Sequence, residues 1–279
     1  MDEKVFLGRS TCGFHRIAYT EWGAATARPP VICVHGLTRN GRDFDVLAQT
    51  LEKSAQVFCP DIPGRGLSDW LGDPACYSYA QYMADMTAFV ARTGALEIDW
   101  VGTSMGGLLG MLLAAEVNSP IRRLVLNDVG PYIPLLALKR IGSYVGEARE
   151  FANAGEVEKY MREIYAAFGD LTDENWRHLA MHGTRFVGNG KLALAHDPAI
   201  ALPFLQIEQD VDLWNIYDRV RCPVLVLHGT KSDILSAQVA EEMTRRGPRA
   251  QLIEFPKTGH APALMDPTQI AVINEFLRR

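Results

Sequence analysis

The chain lacks the marks of a nucleic-acid, membrane or disulfide-stabilised protein. Its 279 residues hold 28 Lys and Arg against 33 Asp and Glu, a net charge of −5, with no basic run or stripe. Nothing here would attract a densely charged polyanion, so nucleic acid is not an expected partner. No apolar run approaches the roughly 20 residues needed to cross a bilayer. The opening Met1-Asp2-Glu3-Lys4-Val5 is acidic where a secretion signal is basic and then apolar. The five cysteines, Cys12, Cys33, Cys59, Cys76 and Cys222, are odd in number and show no C-x-x-C spacing. That argues against a disulfide framework or a zinc knuckle; Cys33 and Cys59 fall in apolar runs, where a thiol packs as a small apolar group. A reduced, cytoplasmic protein with no membrane partner is expected. Internal repeats and low-complexity stretches are also missing.

Hydrophobic residues make up 48% of the chain, enough for a large buried core. Short apolar runs read as strands covered on both faces: Val31 to Val34, Ala55 to Cys59, Ile121 to Asn127, Pro223 to Leu227 and Gln251 to Phe255. Residues 4–22 alternate as a hairpin about Cys12-Gly13. Between the strands, apolar residues recur at helical spacing, as in Phe44, Leu47, Ala48, Leu51 and in Tyr82, Met83, Met86, Phe89, Val90. From Pro131 to about Asp218 the strands stop and helical periods dominate, clearest in Val157, Tyr160, Met161, Ile164, Tyr165 and Phe168. The reading is an α/β protein with a mostly parallel, doubly wound sheet and helices on both faces. Residues 1–130 and 219–279 form its core, and residues 131–218 are a helical cap inserted over the sheet.

One stretch organises the chain. Ile98 to Val101 has strand character, Leu108 to Leu113 is apolar helix, and between them lies Gly102-Thr103-Ser104-Met105-Gly106. A strand that turns sharply into a helix needs small residues on either side of the turn, because the two backbones nearly touch. Ser104 then stands at the apex of a nucleophile elbow, at the positive end of a helix.

Ligands of such sheets bind beyond the carboxyl ends of the strands. The loops there carry His35-Gly36-Leu37, Asp61, Ser104, Asp128, Asp233 and His260. A serine hydroxyl needs a base to take its proton, and the base needs a carboxylate to set its tautomer. His260, in the loop after the last strand, is the best base among the histidines. Two carboxylates qualify as the acid. Asp233 follows the penultimate strand and completes the order Ser104, Asp233, His260; it is the preferred acid, with Asp128 as the alternative. The oxyanion donors are expected to be the backbone N–H groups of Leu37 and Met105, with Gly36 easing the approach of its loop. His35 is expected to hydrogen-bond within its own loop.

With these residues in hand, the chain resembles the α/β-hydrolase fold superfamily, in the serine-nucleophile branch with a helical cap. The resemblance rests on His35-Gly36-Leu37, on Asp61-Ile62-Pro63-Gly64-Arg65-Gly66-Leu67-Ser68, on the elbow, on His228-Gly229-Thr230-Lys231-Ser232-Asp233 and on Gly259-His260. It spans nearly the whole chain and is weakest across the cap. Haloalkane dehalogenases and epoxide hydrolases of this fold carry aspartate where Ser104 stands. The resemblance implies a cofactor-free serine hydrolase of the carboxylesterase kind, acting through an acyl-enzyme on esters of small to medium apolar acids. Lactone hydrolysis, cleavage of carbon–carbon bonds beside a carbonyl, and a small-molecule receptor that keeps the triad are the alternatives. The expected partner is a small ester or lactone, and the chain a monomer or homodimer. Substrate contacts are sought at Arg39, Asn40, Tyr132, Tyr144 and Trp214, with Arg39 as a clamp for a substrate carboxylate. His178 and His182 stand four apart on a helix but lack the further ligands of a zinc site, so no metal is expected.

Overall fold

The computed structural model describes residues 1–279, apart from the side chain of Leu205. An eight-stranded sheet forms its centre, in the order β1-β2-β4-β3-β5-β6-β12-β13. The first strands are β1 (Asp2–Ser10), β2 (Gly13–Trp22), β3 (Val31–Val34) and β4 (Val57–Pro60). They are followed by β5 (Ile98–Thr103) and β6 (Ile121–Asn127), and later in the chain by β12 (Val224–Gly229) and β13 (Gln251–Phe255). The β1–β2 hairpin and the β2–β4 pair are antiparallel; every other pair in this sheet is parallel.

The continuous apolar runs became the central strands because both faces are covered. Val31, Ile32, Cys33 and Val34 are all buried, as are all six residues of β12. On one face lie α2 (Tyr79–Thr93) and α3 (Met105–Ala114), whose Met86, Phe89, Leu109 and Met111 pack with Ile32, Val34 and Trp100. On the other lie α1 (Asp45–Leu51) and α9 (Pro267–Arg278), whose Leu47, Leu51, Ile273 and Phe276 meet Cys33, Val101 and Leu225. Helix α3 is apolar all round because it is buried all round, as a helix without a polar face must be.

Between β6 and β12 the chain forms α4 (Leu135–Val145), α5 (Ala154–Ile164), α6 (Asp173–His182) and α7 (Trp214–Tyr217). Here the structure departs from the expectation that strands stop. A three-stranded sheet of β8 (Glu150–Phe151), β10 (Leu192–Leu194) and β9 (Thr184–Phe186) is present, and β7 (Tyr132–Ile133) pairs with β11 (Val211–Asp212). These strands have two or three residues, too few to show an alternation; β9 and β10 form a local hairpin, whereas β8 and β7 pair with segments far along the chain. The periodicity of α5 also ran on too far. Val157, Tyr160 and Met161 are buried in the helix as read, but Tyr165 and Phe168 lie beyond its end, partly buried against the same cluster. A last helix of the core, α8 (Ala237–Met243), precedes β13. Among the described residues, no helix is long and apolar enough to cross a membrane.

Candidate active site

The elbow forms as its spacing requires. Ser104 has φ 51° and ψ −116°, a conformation rarely adopted by an L-residue, between the end of β5 and the first turn of α3. The flanking glycines answer to space. A Cβ on Gly102 would sit 2.3 Å from the Gly106 carbonyl oxygen, and one on Gly106 only 2.0 Å from that of Val34. Gly36 differs: a Cβ there would meet nothing nearer than 3.7 Å, so packing does not demand glycine at that point. The Trp100 indole donates to the Gly106 carbonyl at 2.9 Å and pins the helix to its strand.

His260 lies against the serine, with Nε2 2.8 Å from Ser104 Oγ. Its Nδ1 is 2.8 Å from Asp128 Oδ2. The carboxylate beside the histidine is therefore Asp128, and the preference for Asp233 is corrected. The sheet order explains why. Asp128 directly follows β6, the strand next to that of Ser104, whereas Asp233 lies one strand further away and past the turn closed by Ser232 N–H to the Gly229 carbonyl at 2.8 Å. The loop after β12 sends Ser232 inward instead, its hydroxyl donating to Asp128 Oδ2 at 2.5 Å. Asp233, half exposed at the wall of the cavity beside Ser104, accepts from the Arg140 guanidinium and not from His260.

Asp128 is fully buried and also accepts the Gly229 N–H on Oδ1 at 2.8 Å. These donors compensate the loss of water around a buried carboxylate. With the Asp128 carboxylate accepting at Nδ1, the His260 proton sits on Nδ1 and Nε2 presents a lone pair to the serine hydroxyl.

Sequence reasoning had placed Asn127 only as a strand end. Its buried side-chain amide donates to Thr103 Oγ1 at 3.0 Å and to the Pro262 carbonyl at 2.8 Å. It thus ties the serine loop to the histidine loop. Ser232 and Asn127 are single polar residues beside motif residues, and only the tertiary contacts give them their tasks.

The Leu37 and Met105 N–H groups, expected as oxyanion donors, have no acceptor among the described residues. Met105 is the first residue of α3, where helical N–H groups have no partner within the helix. The orientation of Leu37 N–H is set by His35. Its Nε2 accepts the Ile62 N–H at 2.9 Å, so Nδ1 carries the proton and donates to the Gly36 carbonyl at 2.7 Å. In a planar trans peptide the C=O and N–H point opposite ways, so holding Gly36 O aims Leu37 N–H away from His35. Arg65, fully buried, donates to the Leu37 carbonyl at 2.8 Å and stacks on Tyr82, fixing the next peptide.

Burial lowers the His35 pKa to about 3, with the hydrogen bond to Gly36 opposing the shift. We expect ¹⁵N spectra to show His35 as the neutral Nδ1–H tautomer, unchanged between pH 8 and pH 5. A resonance titrating near the ordinary histidine value of about 6.5 would disprove this reading.

A cavity of about 170 Å³ adjoins Ser104 and His260. Ile141 and Tyr144 of α4, Ile164, Tyr165 and Phe168 after it, and Leu179 of α6 supply much of its wall. The substrate-contact candidates divide. Tyr144 and Arg39 line this cavity; Asn40, Tyr132 and Trp214 do not. Asn40 instead anchors α6 through the His182 carbonyl at 2.7 Å, Tyr132 donates to Asp210, and Trp214 packs on Tyr217 and Arg246. Arg39 is buried and committed to Asp43 by two bonds of 2.9 and 2.6 Å, and so does not act as a free clamp. Burial pushes the Tyr144 phenol up to about 12.

The side chains of Asp45, His178 and His182 offer ligand atoms within 4.8 Å of one another, as do those of Cys12, Asp73 and Cys76. In the first group Arg42 already holds the Asp45 carboxylate, with bonds of 2.6 to 3.0 Å. His178 Nε2 donates to the Arg42 carbonyl at 2.8 Å. A cation would have to displace that guanidinium.

Comparison with known proteins decides the family. The model of the alpha/beta hydrolase fold matches residues 29–267. The chain belongs to the α/β-hydrolase fold family. A 3-hydroxybutyrate-oligomer hydrolase of Cupriavidus necator is 42% identical over 96% of this chain and 94% of its own length. A solved α/β hydrolase from Novosphingobium aromaticivorans superposes with a TM-score of 0.90 at 38% identity, covering 99% of this chain and 98% of its own. A putative hydrolase from Rickettsia typhi gives a TM-score of 0.94 at 32% identity over 100% and 99% of the two chains.

Proposed function

We propose that this hydrolase is a serine esterase working through an acyl-enzyme, with short linear oligomers of 3-hydroxybutyrate as its substrates. One observation carries the chemistry: Ser104 Oγ, His260 Nε2, His260 Nδ1 and Asp128 Oδ2 form a line with two contacts of 2.8 Å. The Cupriavidus relative supports the substrate class. The cavity, at about 170 Å³, lies below the 300 Å³ or more usual for drug-sized ligands and suits a short acyl chain. In this reading residues 131–218 act as a cap over the site, and the protein works in a reducing cytoplasm, a view in keeping with its five free thiols.

His260 Nε2 takes the Ser104 proton as Oγ attacks the ester carbonyl. The carbonyl oxygen becomes an oxyanion held by the Leu37 and Met105 N–H groups; losing one such donor costs about 10²- to 10³-fold in rate. Asp128 stabilises the imidazolium that forms. His260 then gives its proton to the departing alkoxide, leaving an acyl group on Ser104. Water, activated by the same nitrogen, releases the acid.

The test is steady-state hydrolysis of 3-hydroxybutyrate dimer and trimer beside a series of p-nitrophenyl esters, with fluorophosphonate labelling of Ser104. Turnover of the oligomers in the usual range of about 1 to 10³ per second is expected. If Ser104 is labelled yet no ester or oligomer turns over, the esterase reading falls.

A further inference from the structure

The cavity beside Ser104 carries an uneven charge. Arg39, Arg140 and Lys231 line it against Asp43 and Asp233. Arg39 and Asp43 are matched to each other and lie in the segment after β3. The surplus is at the other end. Arg140 turns its Nε–Nη2 edge to Asp233, with bonds of 2.5 and 3.0 Å, and both side chains are about half exposed. A guanidinium has five N–H donors, so some remain for a ligand beside the two Asp233 bonds and the contact with the Tyr144 phenol. Asp233 thereby aims the group without exhausting it. Lys231, two residues earlier, is exposed, and its ammonium meets no carboxylate among the described residues.

The position of this pair indicates which half of a substrate it faces. Lys231 and Asp233 belong to the loop after β12, which the Lys231 N–H joins to the His260 loop through the Thr258 carbonyl at 2.8 Å. His260 Nε2 must protonate the departing alkoxide, so the leaving half of the ester lies on the His260 side of Ser104. In the sheet order, the loop after β3 is on the opposite side of β5 from the loop after β12.

We propose that Arg140 and Lys231 bind a free carboxylate on the alcohol half of the substrate, making the enzyme selective for linear oligoester acids and directing cleavage to the carboxyl end. This rests on the esterase reading above. The covalent steps are unchanged: the Ser104 Oγ–acyl bond forms, the acyl–alkoxy bond breaks, and the alkoxide leaves with the His260 proton as a hydroxyacid still carrying its carboxylate. Arg suits the task because its fork matches a carboxylate; Lys adds an unoriented charge.

The test uses a linear dimer of a short hydroxyacid and the methyl ester of that same dimer. The parent enzyme should favour the acid by about 10- to 100-fold in kcat/KM, the size expected for hydrogen bonds to a charged group. Arg140→Gln and Lys231→Gln should each bring that ratio down by several-fold, mainly through KM for the acid, and the double variant should bring it near one. Arg140→Lys should restore part of it. Because the ratio compares two substrates of one preparation, it does not depend on how much protein folds. Added salt should raise KM for the acid more than for the methyl ester. Equal kcat/KM for both dimers in the parent, or a preference that survives in the double variant, overturns this proposal alone. Turnover of neither dimer while p-nitrophenyl esters are cleaved overturns the proposal and the oligomer substrate class; turnover of no ester at all overturns the esterase reading with them.

Discussion

Replacing Ser104 by Ala should abolish turnover of every ester, lowering kcat by about 10⁶-fold. The effect is large because serine and histidine act as one unit: without the hydroxyl, His260 has no proton to take and no acyl group can be stored. What remains should come from binding and the oxyanion donors alone. The fold should survive, because Ser104 Oγ makes a single side-chain contact, to His260. The elbow is instead held by Gly102, Gly106 and Trp100. Steady-state kinetics checks the rate, and the loss of fluorophosphonate labelling checks the site. Activity within tenfold of the parent would remove Ser104 from the mechanism.

Asp128→Asn should lower kcat by about 10⁴-fold, the size expected when the carboxylate of a triad becomes an amide. The amide retains the shape but presents an N–H or a neutral oxygen to His260 Nδ1. Either the histidine turns to the wrong tautomer, with its proton facing Ser104, or the imidazolium loses its counter-charge. Asp128 also holds Gly229 N–H and the Ser232 hydroxyl, so some stability should be lost as well. A thermal melt beside the kinetics separates the two effects. Asp233→Asn, by contrast, should change turnover of a neutral p-nitrophenyl ester by less than about tenfold, since its partner is Arg140 and not His260. If Asp233→Asn were the severe change and Asp128→Asn the mild one, the acid would have to be reassigned.

The two carboxylates show where a linear reading stops. Asp128 and Asp233 both follow parallel strands, and both lie between Ser104 and His260 in the chain. Nucleophile–acid–base order is therefore satisfied by either. Choosing between them needs the lateral order of β6, β12 and β13 and the direction of one turn. That turn sends Ser232 to Asp128 and Asp233 to Arg140, and no periodicity records it. The same holds for Arg39. Its place after the oxyanion loop was legible, but its commitment to Asp43 depends on burial beneath α6.

Some features needed no tertiary information. The elbow was readable because part of its sterics acts over five residues: a Cβ on Gly102 would meet the Gly106 carbonyl at 2.3 Å, while the matching demand at Gly106 comes from Val34 on the neighbouring strand. The central strands were readable because burial on both faces leaves unbroken apolar runs. The place of His260 beside Ser104 was readable because it follows the last strand.

What the sequence by itself determined was the fold and the choice of Ser104 and His260 as the proposed nucleophile and base, since each is written in local pattern and chain order. Only the tertiary structure set Asp128 beside His260, the positioning contacts of Asn127, Ser232 and His35, the short strands between β6 and β12, and the residues lining the cavity. Most of these are contacts between segments far apart in the chain, from 24 to 135 residues for the bonds of Asn127 to Thr103 and Pro262, of Ser232 to Asp128 and of His260 to Asp128. Such contacts follow from how strands are ordered side by side and how loops turn, which no stretch of sequence contains on its own.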